Sequence, residues 1–164
     1  MRRVLVGVMG PGGGASAGDR QAAYELGRLI ASEGWVLLTG GRAAGVMEAA
    51  SRGAAEAGGL TVGLLPGEDE SQASEFVEVA IATGLGQARN NLNVLSSRVV
   101  VACGMGAGTA AEVALALKAG KPVVLLRAGR EAEVFFKSLG GEGVRVAATP
   151  AEAVAEVKRL LGYS

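Results

Sequence analysis

The sequence has few of the side chains on which many catalytic and metal sites depend. It contains no histidine and one cysteine, Cys103, among 164 residues. These absences exclude a histidine-based catalytic triad, a histidine general base and a Cys/His zinc site, and we predict no metal site. A single cysteine also excludes a disulfide within the chain, which fits a reducing compartment and predicts a cytoplasmic protein.

The sequence also lacks an excess of charge and long apolar runs. Sixteen basic residues balance sixteen acidic ones, so no net field favours nucleic acid or an anionic membrane, and we expect neither as a partner. No apolar run approaches the roughly 20 residues needed to span a bilayer. Aromatic residues make up only 4%, whereas glycine occurs 27 times, which predicts many tight turns. The length suits one domain over residues 1–164.

Short apolar runs alternate with helical patterns along the chain. The predicted strands cover residues 3–8, 35–38, 60–65, 76–82, 99–102, 123–126 and 144–146. The predicted helices cover residues 19–33, 45–57, 85–95, 110–119, 131–139 and 150–161. In the third of these helices, Leu92 and Leu95 are spaced to lie on one face. Residues 68–75 are predicted to form an exposed loop. This alternation predicts an α/β, Rossmann-like, doubly wound fold with a mainly parallel sheet and helices on both faces.

The most informative stretch is a strand, a glycine turn and a helix. Three valines, Val99 to Val101, have the β-branched pattern of a strand covered on both faces. The turn after them predicts a phosphate site, because glycines permit close approach and the N–H groups of a helix start attract anions. The predicted binding residues here are Gly104, Gly106, Ala107, Gly108 and Thr109. The alternative is a tight connection that uses glycine only for packing.

Two other strands also end in glycine turns. The first turn, at Gly10, imitates a dinucleotide fingerprint only loosely, and the acidic residue expected after the second strand is missing, which argues against NAD. The second turn supplies the predicted binding residues Gly40, Gly41, Arg42, Gly45 and Met47, although Met47 at helical spacing also suits a core position. Parallel strands bring such turns to one edge of the sheet, where ligands bind.

Two charged residues are candidates for chemistry. Arg89 stands at a helix start, where the dipole disfavours a cation; it is a clamp for phosphate or carboxylate, or a solvated surface arginine. Glu112 is a general acid/base or an acceptor for ribose hydroxyls, or an acid stabilised by the helix dipole. Asn90 and Asn91 are open candidates for ligand or subunit contacts, and Cys103 suits a buried apolar position.

These motifs together resemble the Lonely Guy and molybdenum cofactor carrier superfamily. The first half matches in the stretches from Thr39 to Ala50, Gly53 to Ala54 and Gly63 to Pro66, and the second half in Arg89 and the GxGxGTxxE run that ends at Glu112. The resemblance covers nearly the whole chain and implies a homodimer or higher oligomer. In the Lonely Guy branch it implies a nucleoside 5′-monophosphate phosphoribohydrolase, with Arg89 and Glu112 as catalytic residues.

Two departures make the chain look more like the carrier branch. Gly104-Met105-Gly106 stands where the enzymes have PGG, and Asn90 follows Arg89 where the enzymes usually carry lysine. That branch is similar to proteins that hold molybdopterin cofactor, an anionic ligand that carries a phosphate. Some relatives are labelled lysine decarboxylase, but all four lysines fall on predicted helix ends or faces away from the glycine turns, where none suits a Schiff base.

Three hypotheses about function follow. The first is a binding or carrier protein for a small phosphorylated ligand, which is a nucleoside monophosphate or a molybdenum cofactor. Apart from this ligand, the protein is expected to require no cofactor. The second is a phosphoribohydrolase in which Glu112 stabilises the charge that develops on ribose. The third is a scaffold without a ligand, which the glycine turns disfavour because alanine would hold the elements more stably.

Overall fold

The computed structural model describes residues 1–163, which form one sheet flanked by helices. The strands are β1 (Leu5–Met9), β2 (Val36–Thr39), β3 (Thr61–Leu65), β4 (Val79–Ala82), β5 (Val99–Cys103), β6 (Val123–Leu126) and β7 (Val144–Ala147). The helices are α1 (Ala17–Ser32), α2 (Gly45–Glu56), α3 (Arg89–Ser96), α4 (Ala107–Lys118), α5 (Arg130–Gly140) and α6 (Pro150–Leu160). Short 3₁₀ turns cover Gly86–Ala88 and Gly141–Gly143.

The sheet confirms the predicted Rossmann-like α/β fold. Its strand order is β4-β3-β2-β1-β5-β6-β7, and all of these pairings are parallel. The chain moves outwards from β1 to β4 and then returns to place β5 on the other side of β1. Ligands of such sheets bind beyond the carboxyl ends of the strands, where the order reverses. The end of β1 and β5 is therefore the expected position of a site.

Hydrophobic burial on both sides of the sheet holds it between two helix layers. One core cluster joins the sheet to α1, α2 and α6, and includes Leu26, Ala50 and Val154. The other joins it to α3, α4 and α5, and includes Val94 and Phe136. All five residues of β5 are buried, as the β-branched run predicts. Because both faces of the central strands are covered, the register of these strands is fixed, and so is the position of their carboxyl ends.

The helix after β5 begins three residues earlier than predicted. Gly106 is extended (φ −157°, ψ 176°) and is the N-cap, so Ala107, Gly108 and Thr109 form the first helical turn. A helix that began at Ala110 would have Glu112 in its first turn, where the helix dipole stabilises an acid. In the structure Glu112 lies beyond the first turn of α4 and lacks this stabilisation.

The stretch before β5 differs more from the prediction. The expected strand 76–82 is shortened to Val79–Ala82, an edge strand, and the expected helix 85–95 divides into a 3₁₀ turn and α3. Leu92 and Leu95 are 37% and 49% exposed, because α3 turns a different stripe, with Asn93 and Val94, towards the protein. The loop 68–75 is largely exposed, but its end is anchored where Ser74 N–H donates to the Gly41 carbonyl at 2.8 Å.

Residues 1–163 show neither a helix suited to span a membrane nor a cluster of metal ligands. None of their helices has both the length and the apolar character that a bilayer crossing requires. The same residues contain no group of three or more His, Cys, Asp or Glu side chains placed to hold a metal ion.

Candidate functional site

A cavity of about 310 Å³ opens beyond the carboxyl ends of β1, β2 and β5. Its lining comes from all three glycine turns and from α3 and α4: Val8, Met9, Gly10, Pro11, Gly12, Gly40, Met47, Arg89, Asn90, Gly106, Ala107, Gly108, Thr109 and Glu112. The turns therefore meet at one edge, as the parallel sheet predicts. The sequence offers no reason to choose Val8, Met9, Pro11 or Gly12, and leaves Asn90 undecided.

Most of the predicted site residues line this cavity, and four do not. Gly41, Arg42, Gly45 and Gly104 are outside its lining. Gly41, Gly45 and Gly104 adopt positive φ values of 77°, 50° and 78°, so they shape the turns that carry the lining residues. Arg42 is exposed, and its backbone forms an antiparallel bridge with Ala73.

The start of α4 presents backbone N–H groups to the cavity. No side chain caps this helix, and the first N–H groups of a helix have no partner within it. Ala107, Gly108 and Thr109 all line the cavity. A Cβ on Gly108 would have nothing within 4 Å, so the space beside this backbone is open. Free N–H groups and the positive end of the dipole form an anion-binding geometry.

The turn before α4 is held from behind by an ion pair. A Cβ on Gly104 would lie 3.0 Å from the Asp19 carboxylate, so a larger residue is excluded there. Asp19 accepts from Arg127 Nε at 3.0 Å and forms a capping box with Ser16 at the start of α1. Burial raises the pKa of the Asp19 carboxyl, but the hydrogen bonds from Arg127 and Ser16 outweigh it and hold this pKa below its usual value. The glycine turn therefore packs on a charged, ordered support.

Arg89 is a partly buried cation whose side chain crosses the turn after β2. The position of a Cβ on Gly40 would lie 2.9 Å from Arg89 Nη2 and 2.8 Å from Met47 Sδ, so only glycine admits the guanidinium there. Nη1 donates to Asn90 Oδ1, while Nε is buried and has no hydrogen-bond partner within residues 1–163. This burial rejects the interpretation of Arg89 as a solvated surface arginine.

The charges around Arg89 do not neutralise it. In the described chain Arg89 forms no ion pair with a carboxylate. Burial lowers the pKa of its guanidinium, the Glu112 charge opposes that shift and the Arg42 charge adds to it. Arg89 therefore presents to the cavity a cation without an ion-pair partner, which favours an anionic guest.

Glu112 faces the same cavity from the second turn of α4. It is 8% exposed, and burial raises the pKa of its carboxyl to about 7, against the opposing effect of Arg89. Up to residue 163 it forms no ion pair. A carboxyl that changes protonation near neutral pH, inside a cavity, has the properties of a general acid/base. It can also form hydrogen bonds with hydroxyls and ring nitrogens of a ligand.

A larger cleft, of about 670 Å³, lies beside α1 and α2. Its two arginines and its tyrosine are engaged with the protein itself. Arg52 is paired with Glu56 at 2.9 Å, Tyr24 donates to the same carboxylate at 2.6 Å, and Arg20 donates to the Ala15 carbonyl. The smaller cavity at the sheet edge is therefore the better candidate, because its cation and helix N–H groups are free to bind a ligand.

Comparison with known proteins places the chain in a family. The model of the SLOG cluster4 family matches residues 3–154. The structure of the molybdenum cofactor binding protein from Rippkaea orientalis is 53% identical, with a TM-score of 0.96, and the match covers 98% of this chain and 99% of that one.

Two other relatives agree with this placement. The molybdenum cofactor carrier protein of Chlamydomonas reinhardtii is 57% identical, with a TM-score of 0.94, over 98% of this chain and 99% of that one. An uncharacterised protein of Archaeoglobus fulgidus is 40% identical over 154 residues, or 94% of each chain. Structural neighbours of this chain are thus molybdenum cofactor carrier proteins. The chain therefore belongs to the SLOG cluster4 family, in the carrier branch of the superfamily.

Proposed function

We propose that this protein binds a small phosphorylated cofactor of the molybdopterin type in the cavity at the sheet edge and acts as its carrier. The observation that carries this proposal is the convergence of the unpartnered N–H groups of Ala107 to Thr109 with the unneutralised cation of Arg89. Helix N–H groups hold phosphate, and a guanidinium adds charge-assisted hydrogen bonds. The names of the Rippkaea and Chlamydomonas relatives support the same class of ligand.

The residues present fit such a group in size and charge. A cavity of about 310 Å³ lies at the lower end of the roughly 300–1,000 Å³ that small-molecule sites occupy. The phosphate of the cofactor would lie on Gly106 to Thr109. Arg89 and the nearby Arg42 would balance its charge, and Glu112 would face the sugar-like or ring portion. A nucleoside monophosphate has the same kind of phosphate and is the second ligand to test.

The direct test is ligand binding by the purified protein. A ligand at one hundred times its dissociation constant stabilises a fold by about 2.7 kcal/mol, so thermal unfolding detects it and titration calorimetry gives the affinity. We expect Arg89→Met to weaken binding about 10- to 150-fold, because a hydrogen bond to a charged group contributes about 1.5–3 kcal/mol. Arg98→Met is the matched control, since Arg98 is exposed and precedes β5 at the opposite edge of the sheet. Absence of binding by the unchanged protein refutes the proposal.

A second candidate function is cleavage of the N-glycosidic bond of a nucleoside 5′-monophosphate. The observation that favours it is Glu112, a carboxyl with a pKa of about 7 that shares the cavity with Arg89. Such a group can stabilise the oxocarbenium charge on ribose or activate water. Incubation with AMP and measurement of free adenine tests the reaction. Release that Glu112→Gln leaves unchanged would remove Glu112 from the mechanism, and no release with intact binding leaves the carrier function.

We also propose that the protein self-associates through the edge formed by β4, the 3₁₀ turn and α3. Large apolar side chains are exposed along this consecutive stretch of chain: Val79, Ile81, Leu85, Leu92 and Leu95. Burial of such a surface against a second copy would remove it from water. Light scattering on the purified protein measures the mass, and Leu95→Glu is expected to reduce it. A monomer at micromolar concentration contradicts this part of the proposal.

A further inference from the structure

The most unusual polar residue of the interior is Asn93 in α3. Its side chain is 0% exposed, and within residues 1–163 neither Nδ2 nor Oδ1 has a hydrogen-bond partner. An amide buried in this way lowers stability relative to an apolar residue of the same shape. Its place in the fold therefore needs an explanation other than stability.

The position of Asn93 connects it with the cavity. Helix α3 begins with Arg89 at the cavity and runs into the protein towards the start of β5. Asn93 is four residues after Arg89, so the two side chains lie on one stripe of the helix, one turn apart and within reach of each other. The stripe is turned inwards, because Asn93 is fully buried and Arg89 partly so.

Arg89 has the complementary unpaired atom. Its Nε is buried without a partner among the described residues, while Nη1 donates to Asn90 Oδ1. An unpaired donor of Arg89 and an unpaired acceptor of Asn93 therefore occur on the same inward stripe. The donor and the acceptor satisfy each other if the guanidinium turns so that Nε–H points along α3 towards Asn93.

We propose that Asn93 is a positioning residue for Arg89: its amide oxygen accepts the Nε–H of Arg89 while the two Nη groups hold the phosphate oxygens of the ligand. This inference rests on the proposed function and deepens it. A guanidinium anchored at Nε presents two parallel donors in a fixed plane, which suits a phosphate monoester better than a single carbonyl or hydroxyl. The ligand class that Asn93 selects is thus a terminal phosphate.

The test compares affinity and stability in one variant. Asn93→Leu replaces the amide by an apolar group of similar shape, so we expect a higher midpoint of thermal unfolding. In titration calorimetry we expect this variant to bind molybdopterin and AMP at least about tenfold more weakly than the unchanged protein. Ser51→Ala is the matched control, because Ser51 Oγ is also buried and unpartnered but lies on α2, in the other helix layer. It is expected to leave affinity unchanged.

A double-mutant cycle separates positioning from a general structural effect. If Asn93 acts through Arg89, Asn93→Leu costs no further affinity in the Arg89→Met background. Additive losses, or unchanged affinity in Asn93→Leu, overturn the inference and leave the proposed function standing. No binding by the unchanged protein overturns both. Asn93→Ala serves the same comparisons if leucine prevents folding.

Discussion

Gly108 offers the sharpest test of whether the glycine turn after β5 serves a ligand. It is the second residue of α4, and a Cβ built on it has nothing within 4 Å. Its φ is not positive, so alanine can adopt its conformation. Alanine in place of glycine at a compatible position stabilises a protein by about 0.4–1 kcal/mol. For a chain of this length we expect Gly108→Ala to raise the unfolding midpoint by about 1–4 °C.

The same methyl group is expected to damage binding. Gly108 lines the cavity beside the N–H groups proposed to hold phosphate, so we expect the methyl group to take space that the ligand needs. Insertion of a methyl group into a filled site costs about 1–3 kcal/mol, which corresponds to about 5- to 150-fold weaker binding. The assay pairs thermal unfolding without ligand with titration calorimetry of molybdopterin and AMP.

Gly143→Ala is the control for this experiment. Gly143 also has open space around its Cβ position, but it precedes β7 at the opposite edge of the sheet. It is expected to leave ligand affinity unchanged. Unchanged affinity in Gly108→Ala as well would refute phosphate binding at the start of α4, and a lower unfolding midpoint would refute the claim that the space beside Gly108 is free.

Three other predictions concern ionisable groups and the support of the turn. The folded protein holds the pKa of Glu112 at about 7 against a usual 4.5; it therefore binds the proton more tightly than the unfolded chain, and stability falls as pH rises from about 4.5 to 7, by on the order of 3 kcal/mol. Denaturant unfolding across this range shows the slope, and Glu112→Gln should abolish it. Burial raises the pKa of the Cys103 thiol to about 12, so iodoacetamide at pH 8 should modify Cys103 only in denaturant; rapid modification of the native protein would contradict this burial. Asp19→Asn should lower the unfolding free energy at pH 7 by about 0.5–1.5 kcal/mol, because the amide keeps an acceptor but loses the charge that pairs with Arg127 and favours the start of α1. Because the pKa of Asp19 is lowered on folding, this difference should shrink as pH falls below 3.8, and a difference independent of pH would argue against the ion pair.

The sequence predicts the order of elements well because glycine and proline separate its apolar runs. The buried run of β5 and the three glycine turns at one edge are the clearest cases. Boundaries depend on backbone conformations that the sequence does not specify. Gly106 is extended and caps α4, so the helix starts before Ala110 and carries Glu112 beyond its first turn.

The environment of each candidate residue could not be predicted, because it depends on contacts between distant segments. Arg89 is buried by packing over Gly40, which belongs to another turn. The rotation of α3 decides that Asn90 lines the cavity while Asn91 is exposed, and that Leu92 points outwards. Neighbouring asparagines look alike in a sequence. The binding roles assigned to these residues stay predictions until ligand binding is measured.

The place of the cavity, beside the pairing of β1 with β5, has a consequence for how a guest would act on the molecule. The strands on one side of this pairing come from the first half of the chain, and those on the other side come from the second. Gly40 and Met47 contribute from the first half, Arg89 and the start of α4 from the second. A bound ligand would therefore bridge the two halves across their shared seam. We expect it to slow amide hydrogen exchange throughout the central strands, well beyond the residues that touch it. These strands would then open for exchange only when the ligand dissociates.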